Sequence, residues 1–338
     1  MKKIIPILIK YTIAFSIAAF FVWLSLKDVK QEDKHDIAQV FMRAKFLLLL
    51  PVFGMMLLSH IFRALRWQQL IEPMGYKPPV FDLLCGVLLG YLANQFIPRA
   101  GEIARCTVVA KQQKIPVEKL IGTILAERAL DLLCLFILSI SAFFLQYSYF
   151  SGYGAKIING LGANLHKGGI KFWLTAGFAL IAAATLAFLL TRLAGHKTKL
   201  LAIKIWKGLA EGFVSIKKLR RKWLFALYTF AIWACYILST WMGCFALAET
   251  QHLGITAGVA LLVFGTFGII VAPGGLGAYP WAIQKTLLLY NISENIGRAS
   301  GWLLMLAQVA FVLIFGSLAY IAVKYRNKQY EKHGVITA

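Results

Sequence analysis

Long continuous apolar segments constrain this sequence more than any other feature. Eight can be read, at roughly 4–26, 46–66, 80–97, 120–146, 171–191, 223–248, 255–272 and 299–323. An α-helix needs about 20 apolar residues to cross the hydrocarbon core of a bilayer. Charged residues make up only 15% of the chain, whereas soluble domains contain about 25%. The sequence therefore predicts an all-α polytopic membrane protein and excludes a water-soluble globular enzyme.

The positive charge of the chain indicates its orientation. Lys and Arg number 36 against 14 acidic residues, a net charge of +22. In a soluble protein this excess would suggest nucleic acid, but cytoplasmic loops of membrane proteins collect Lys and Arg. We therefore expect no nucleic-acid partner. Both termini are basic, and so are the stretches 98–119 and 192–222, so the sequence predicts that all four are cytoplasmic.

Charge and chain-reversal signals together predict the topology. If all eight segments crossed the membrane, both basic stretches would lie outside. They lie inside if 80–97 and 255–272 each enter and leave on one side, which gives six full spans plus two re-entrant hairpins. Each of these segments ends at helix breakers, Pro98-Arg99-Ala100-Gly101 and Pro273-Gly274-Gly275-Leu276-Gly277. Proline-kinked full spans remain the alternative.

The two interrupted segments occupy matching places in the chain. Each is the third of four segments, in a first set over 4–146 and a second over 171–323, within one integral membrane domain, 1–338. The first set starts inside and the second outside, which is typical of an inverted-topology repeat whose interrupted segments form the binding site. We therefore expect Pro98 and Pro273 to approach each other near the bilayer midplane.

Six ionisable residues near the first breaker are the candidate site for a lipid headgroup: Arg99, Glu102, Arg105, Glu127, Arg128 and Asp131. The spacing places Arg99, Glu102 and Arg105 along one side of the returning helix, and Glu127 and Asp131 on one face of the next. Charges inside a membrane are costly unless they pair or face the bundle. Two interpretations stay open: a charged cavity for a headgroup, or a salt-bridge lock, with Glu127 paired to Arg128, that pins the hairpin.

The breakers themselves are the second candidate feature: Pro98, Gly101, Pro273, Gly274, Gly275 and Gly277. Backbone N–H groups at the start of a returning helix attract anions, although a tight reversal alone would also explain these residues. The histidines have no partner at ligand spacing, so we expect no metal and no cofactor. The sequence also contains no nucleotide-binding loop, so we expect no nucleotide-driven pump.

Three motifs in order resemble one family. Pro98-Arg99-Ala100-Gly101-Glu102-Ile103-Ala104-Arg105, then Glu127-Arg128-Ala129-Leu130-Asp131, then Pro273-Gly274-Gly275-Leu276-Gly277 resemble the flippase-like membrane domain of lysylphosphatidylglycerol synthases. The resemblance implies movement of aminoacylated or glycosylated lipids between leaflets of a bacterial cytoplasmic membrane. Those synthases carry a following acyltransferase domain, and we expect none here. Members also often carry a Glu after the glycine run, where this chain has Ala278-Tyr279-Pro280.

These observations predict a lipid flippase or transporter that binds an anionic, amino-modified or glycosylated headgroup in a polar cavity within the membrane. Its substrate would be a membrane lipid, with no catalytic residue in the chain. The alternatives are an enzyme of polyprenyl-phosphate or aminoacyl-lipid synthesis, or an accessory subunit of a separate lipid-modifying enzyme. The sequence contains neither a metal-binding DxD motif nor a nucleotide-sugar domain, which argues against the enzyme. We therefore expect a multi-pass membrane protein that is not an enzyme.

Overall fold

The structure, a computed structural model, describes residues 16–25, 27, 31–97, 100–146, 219 and 221–332. Over these residues the chain forms ten α-helices and no strand. Their bounds are α1 Ser16–Ser25, α2 Gln31–Arg43, α3 Leu49–Ile71, α4 Val80–Phe96, α5 Gly101–Gln113, α6 Val117–Leu145, α7 Lys222–Gly243, α8 Ile255–Val271, α9 Ala278–Leu288 and α10 Glu294–Lys332. The all-α prediction is confirmed for this part of the chain.

Four helical stretches are long and apolar enough to cross a membrane, judged by length and composition. They are Phe46–Met74, Val117–Leu145, Lys222–Ala246 and Glu294–Tyr330. Each covers all or nearly all of one segment predicted to span. The predicted segment 171–191 and nearly all of the basic stretch 192–222 lie outside the described residues. The count of six spans therefore stays a prediction.

Helices α4 and α5 form an antiparallel pair around the first breaker. An added Cβ at Gly90 would lie 2.8 Å from the carbonyl oxygen of Gly101, so only glycine allows the two backbones to approach this closely. At the tip, the Gly101 N–H donates to Asn94 Oδ1 over 2.7 Å. At the open end, Gln113 Nε2 donates to Asp82 Oδ2 over 2.7 Å. The start of α4 and the end of α5 therefore lie side by side.

Helices α8 and α9 repeat this arrangement around the second breaker. An added Cβ at Gly268 would lie 2.8 Å from the carbonyl oxygen of Ala278, so small residues again set the separation. The turn between the helices uses left-handed backbone, with φ of 62° at Gly274, 75° at Gly275 and 72° at Gly277. Side chains rarely adopt these angles, so the glycine run is required by the reversal. Both segments thus form helix pairs, and their re-entry into the membrane stays a prediction.

The helices pack around one polar centre and several apolar clusters. The most extensive contact joins α3 to α7, while α10 packs on α4 and α9, and α8 packs on α6, α7 and α9. The largest apolar cluster lies between α3, α4, α5, α6 and α7 and includes Trp67, Leu83, Cys106, Ile124 and Phe225. Trp67 lies near the end of an apolar segment, where tryptophans favour the membrane interface. Here it is fully buried.

The hairpin topology predicts the accessibility of α5. In a chain lacking its five native cysteines, Lys111→Cys should react with an impermeant thiol reagent only from the cytoplasmic side, because a re-entrant hairpin returns α5 to the side it left. Glu294→Cys is the matched control, since both topologies place it outside. If the Lys111→Cys variant is labelled from the outside as the Glu294→Cys variant is, the segment 80–97 crosses the membrane completely.

Candidate functional site

A cluster of buried charges joins α3 to α6. Arg66 Nη2 donates to Glu127 Oε1 over 2.9 Å and to Asp131 Oδ1 over 2.8 Å. The side chains of Arg66 and Glu127 are fully buried. Glu127 and Asp131 lie one helical turn apart on α6, so one guanidinium can reach both. The shared face predicted for the two carboxylates is confirmed.

Arg105 brings the hairpin helix α5 to the same carboxylate. Its Nη1 donates to Glu127 Oε2 over 3.0 Å, so α5 is linked to α6 by a buried ion pair. The Trp67 ring covers the guanidinium, with its centroid 3.7 Å from Arg105 Cζ, as expected of a cation–π contact. Trp67 is held in place because its Nε1 donates to Thr123 Oγ1 over 2.8 Å.

Arg63 extends the cluster to α7. Its Nη2 donates to the Tyr236 hydroxyl over 2.7 Å, and it lies 3.4 Å from Asp131 Oδ2. Its Nη1 lies 3.5 Å from Glu127 Oε1. Four helices, α3, α5, α6 and α7, therefore contribute polar side chains to one buried site.

The cluster reaches the protein surface at Arg128 and Glu102. Their side chains are 39% and 52% exposed, and Arg128 Nε lies 3.8 Å from Glu102 Oε1. Arg128 also lies 3.3 Å from Asp131 Oδ2. Exposed ion pairs of this kind contribute little to stability. The cluster therefore changes from tightly paired and buried at Arg66 to loosely paired and accessible at Arg128.

Among the described residues of this cluster, positive charge exceeds negative charge. Its buried part holds Arg63, Arg66 and Arg105 against Glu127 and Asp131, while Arg128 and Glu102 balance each other at the edge. Several guanidinium N–H groups also have no hydrogen-bond partner among the described residues, including Nε and Nη2 of Arg105. Buried donors without partners are costly, and an anion would satisfy them.

The structure separates some predicted site residues. Glu102 contacts Arg128, and Arg105 contacts Glu127, so Glu102 and Arg105 belong to different parts of the cluster although they are three residues apart. The lock interpretation paired Glu127 with Arg128, whereas Glu127 pairs with arginines from α3 and α5. The pair with Arg105 does join the hairpin to α6. Arg99 and Pro98 lie outside the described residues.

Sequence reasoning missed Arg63 and Arg66, the arginines on α3. The sequence predicts an apolar segment that ends at Arg66, whereas α3 continues to Ile71 and buries that arginine completely. A signal was available, because His60, Arg63 and Arg66 recur every three residues and so follow one side of an otherwise apolar helix. All three are buried.

The second breaker lies near the end of α4. An added Cβ at Gly274 would lie 4.0 Å from Gln95 Oε1, so the tips of the two hairpins are neighbours. Gly277 packs directly against the backbone of α1 at Phe21 and Val22, while Pro273 begins the turn. Whether these N–H groups bind an anion stays a prediction. Among the described residues, no group of three or more His, Cys, Asp or Glu could hold a metal ion.

Comparison with known proteins agrees with this architecture. The family described as "Lysylphosphatidylglycerol synthase TM region" matches residues 7–316. The chain belongs to this family. The resemblance seen in the three motifs is thereby confirmed, and so is the assignment to multi-pass membrane proteins.

The chain is also similar to the "UPF0104 membrane protein MJ1595" of Methanocaldococcus jannaschii. It is 23% identical over 289 residues, which cover 80% of this chain and 83% of the relative. No solved structure gives a significant match.

Two carboxylates of the cluster should differ sharply in their effect on stability. Glu127→Ala leaves buried Arg105 without a carboxylate and leaves Arg66 with Asp131 alone, so it should cost about 3–5 kcal/mol of unfolding free energy. Glu102→Ala removes an exposed, loosely paired carboxylate and should cost no more than about 1 kcal/mol. Thermal unfolding of both variants in one detergent measures the difference, and similar losses would contradict the graded burial described above.

Proposed function

We propose that this protein moves a lipid between the leaflets of a membrane and that its arginine cluster binds the anionic part of the headgroup. The excess of buried arginine over carboxylate carries this proposal. Because a buried uncompensated charge is unstable without a counterion, the cluster favours an anionic ligand. Membership of a family of lipid-synthase membrane regions supports a lipid as the source of that anion.

The edge of the cluster supports access from outside the helix bundle. Arg128 and Glu102 are partly exposed and 3.8 Å apart, so a ligand can replace their contact at little cost. A lipid phosphate would first meet Arg128 and then the buried arginines, while the acyl chains stay in the bilayer. The acidic residues keep the site from accumulating a larger positive charge.

We also propose that the two helix pairs are re-entrant hairpins of an inverted repeat, with both termini in the cytoplasm. The helix contacts support this idea, because contacts between the two halves have equivalents when the halves are interchanged. Helix α10 packs on α4 just as α6 packs on α8, and α3 and α7 pack on each other. The neighbouring hairpin tips at Gln95 and Gly274 fit a binding site shared by interrupted segments.

The family description favours one alternative, a role beside a lipid-modifying enzyme. Reconstitution of the purified chain into vesicles with fluorescent phosphatidylglycerol separates the possibilities. Without translocation, dithionite bleaches only the outer-leaflet label, and with translocation it bleaches the inner label as well. Bleaching of both leaflets supports the proposal. Outer-leaflet bleaching alone contradicts it, and a new covalent lipid found by mass spectrometry would show an enzyme.

Arg128→Lys should fold normally and translocate poorly. Lysine keeps the positive charge but loses the planar fork that binds a phosphate through two parallel hydrogen bonds. Loss of one such charged contact lowers the rate by roughly tenfold. Arg43→Lys, at an exposed arginine on α2 whose side chain contacts Gln39, is the control and should translocate normally. Full activity of Arg128→Lys at normal yield would remove Arg128 from the site.

A further inference from the structure

One edge of the Arg105 guanidinium indicates which kind of headgroup the cluster accepts. Nη1 is occupied by Glu127, whereas Nε and Nη2 have no hydrogen-bond partner among the described residues. Nε–H and Nη2–H point in the same direction and form one of the edges that match two oxygens of a phosphate. Trp67 covers a face of the group and both nitrogens are buried, so a phosphate bound to Arg105 would lie in the guanidinium plane, at this edge.

The carboxylates leave little room for a cationic headgroup. Both oxygens of Glu127 accept hydrogen bonds from buried arginines, and Asp131 Oδ1 accepts one from Arg66. Asp131 Oδ2 accepts no hydrogen bond among the described residues, but Arg63 and Arg128 flank it at 3.4 and 3.3 Å. The remaining acidic group, Glu102, lies at the exposed edge. An ammonium group bound within the cluster would therefore meet arginines on several sides.

The charge balance of the described cluster favours a ligand with one negative charge. The cluster of described residues carries four arginines and three carboxylates, an excess of one positive charge. A phosphodiester supplies one negative charge and neutralises it. A headgroup that adds an ammonium group would restore the excess, and one that adds a lysine would increase it.

We propose that the preferred ligand is a lipid phosphodiester whose headgroup carries no further charge, such as a hydroxylated or glycosylated one, bound through its free oxygens to the Nε and Nη2 edge of Arg105. This inference rests on the proposed function, since it names the substrate class of the same site. It predicts discrimination against amino-modified lipids. Glu102 is the residue at which an amino group would have to bind if the proposal were wrong.

A competition experiment tests the substrate class. Fluorescent phosphatidylglycerol is bound to the full chain in nanodiscs, and unlabelled lipids are then tested as competitors. The competitors are phosphatidylglycerol, phosphatidylinositol, phosphatidylethanolamine, lysylphosphatidylglycerol and diglucosyl diacylglycerol. The first two should compete equally, and the two amino lipids at least about tenfold less well. The uncharged glycolipid should not compete, because it lacks the phosphate. Equal or stronger competition by either amino lipid overturns the proposal.

Variants identify the residues responsible. Arg105→Gln should abolish binding of phosphatidylglycerol in the folded fraction. Because that change also breaks a buried pair, Glu102→Gln provides an independent test: it should widen the preference for phosphatidylglycerol over lysylphosphatidylglycerol. Glu294→Gln makes the same charge change at the exposed pair with Lys285 and should leave the preference unchanged. Equal shifts in the two glutamate variants, or phosphatidylglycerol binding that survives in Arg105→Gln, contradict the assignment.

The vesicle assay distinguishes failure of this inference from failure of the proposed function. Selective binding of phosphatidylglycerol without any translocation would support the proposed binding site and contradict the proposed transport function. Translocation of lysylphosphatidylglycerol in preference to phosphatidylglycerol would support the transport function and contradict the proposed preference for headgroups without further charge.

Discussion

The pairing of Arg66 with Glu127 and Asp131 determines how the rest of the structure can pack. Both Arg66 and Glu127 are completely buried, so neither can be exposed or left alone without a large loss of stability. Satisfying them fixes α3 against α6, and the second oxygen of Glu127 fixes α5 through Arg105. The neighbouring Arg63 reaches Tyr236 on α7. Apolar residues of similar size can stabilise a core as well as buried ion pairs do, so the extra arginine is better explained by binding than by stability.

Local sequence signals were sufficient to predict the two helix pairs and part of the site. Proline and glycine act on the backbone of their own turn, and for this reason the reversals after α4 and α8 were recognisable. The common face of Glu127 and Asp131 follows from helical periodicity alone. Their partners do not, because Arg66 is 61 residues away from Glu127 along the chain and meets it only through packing of α3 on α6.

Glu102 and Arg105 lie on different sides of α5, and packing between helices again decides their partners. Spacing within one helix favours their contact, but the close approach of α5 to α4 decides which way each side chain points. At Gly90, an added Cβ would meet both Gly101 and Arg105 Cβ, so Arg105 lies on the buried side of α5 and Glu102 on the exposed side. The sequence alone does not show how closely α5 approaches α4. The ion-pair partners of Glu102 and Arg105 therefore could not be predicted.

The two hairpins share a backbone design and differ in chemistry. In each, a glycine lets the returning helix approach the first one, at Gly90 and at Gly268. These contacts involve backbone atoms, so they impose no particular side chain on the face toward the site. The first hairpin can therefore carry Arg105 and Glu102, while the tip of the second consists of Pro273 and three glycines with left-handed backbone. Because the shared scaffold does not depend on the charges, the proposed ligand chemistry belongs to the few residues around Arg105, and those residues can change without a change of fold.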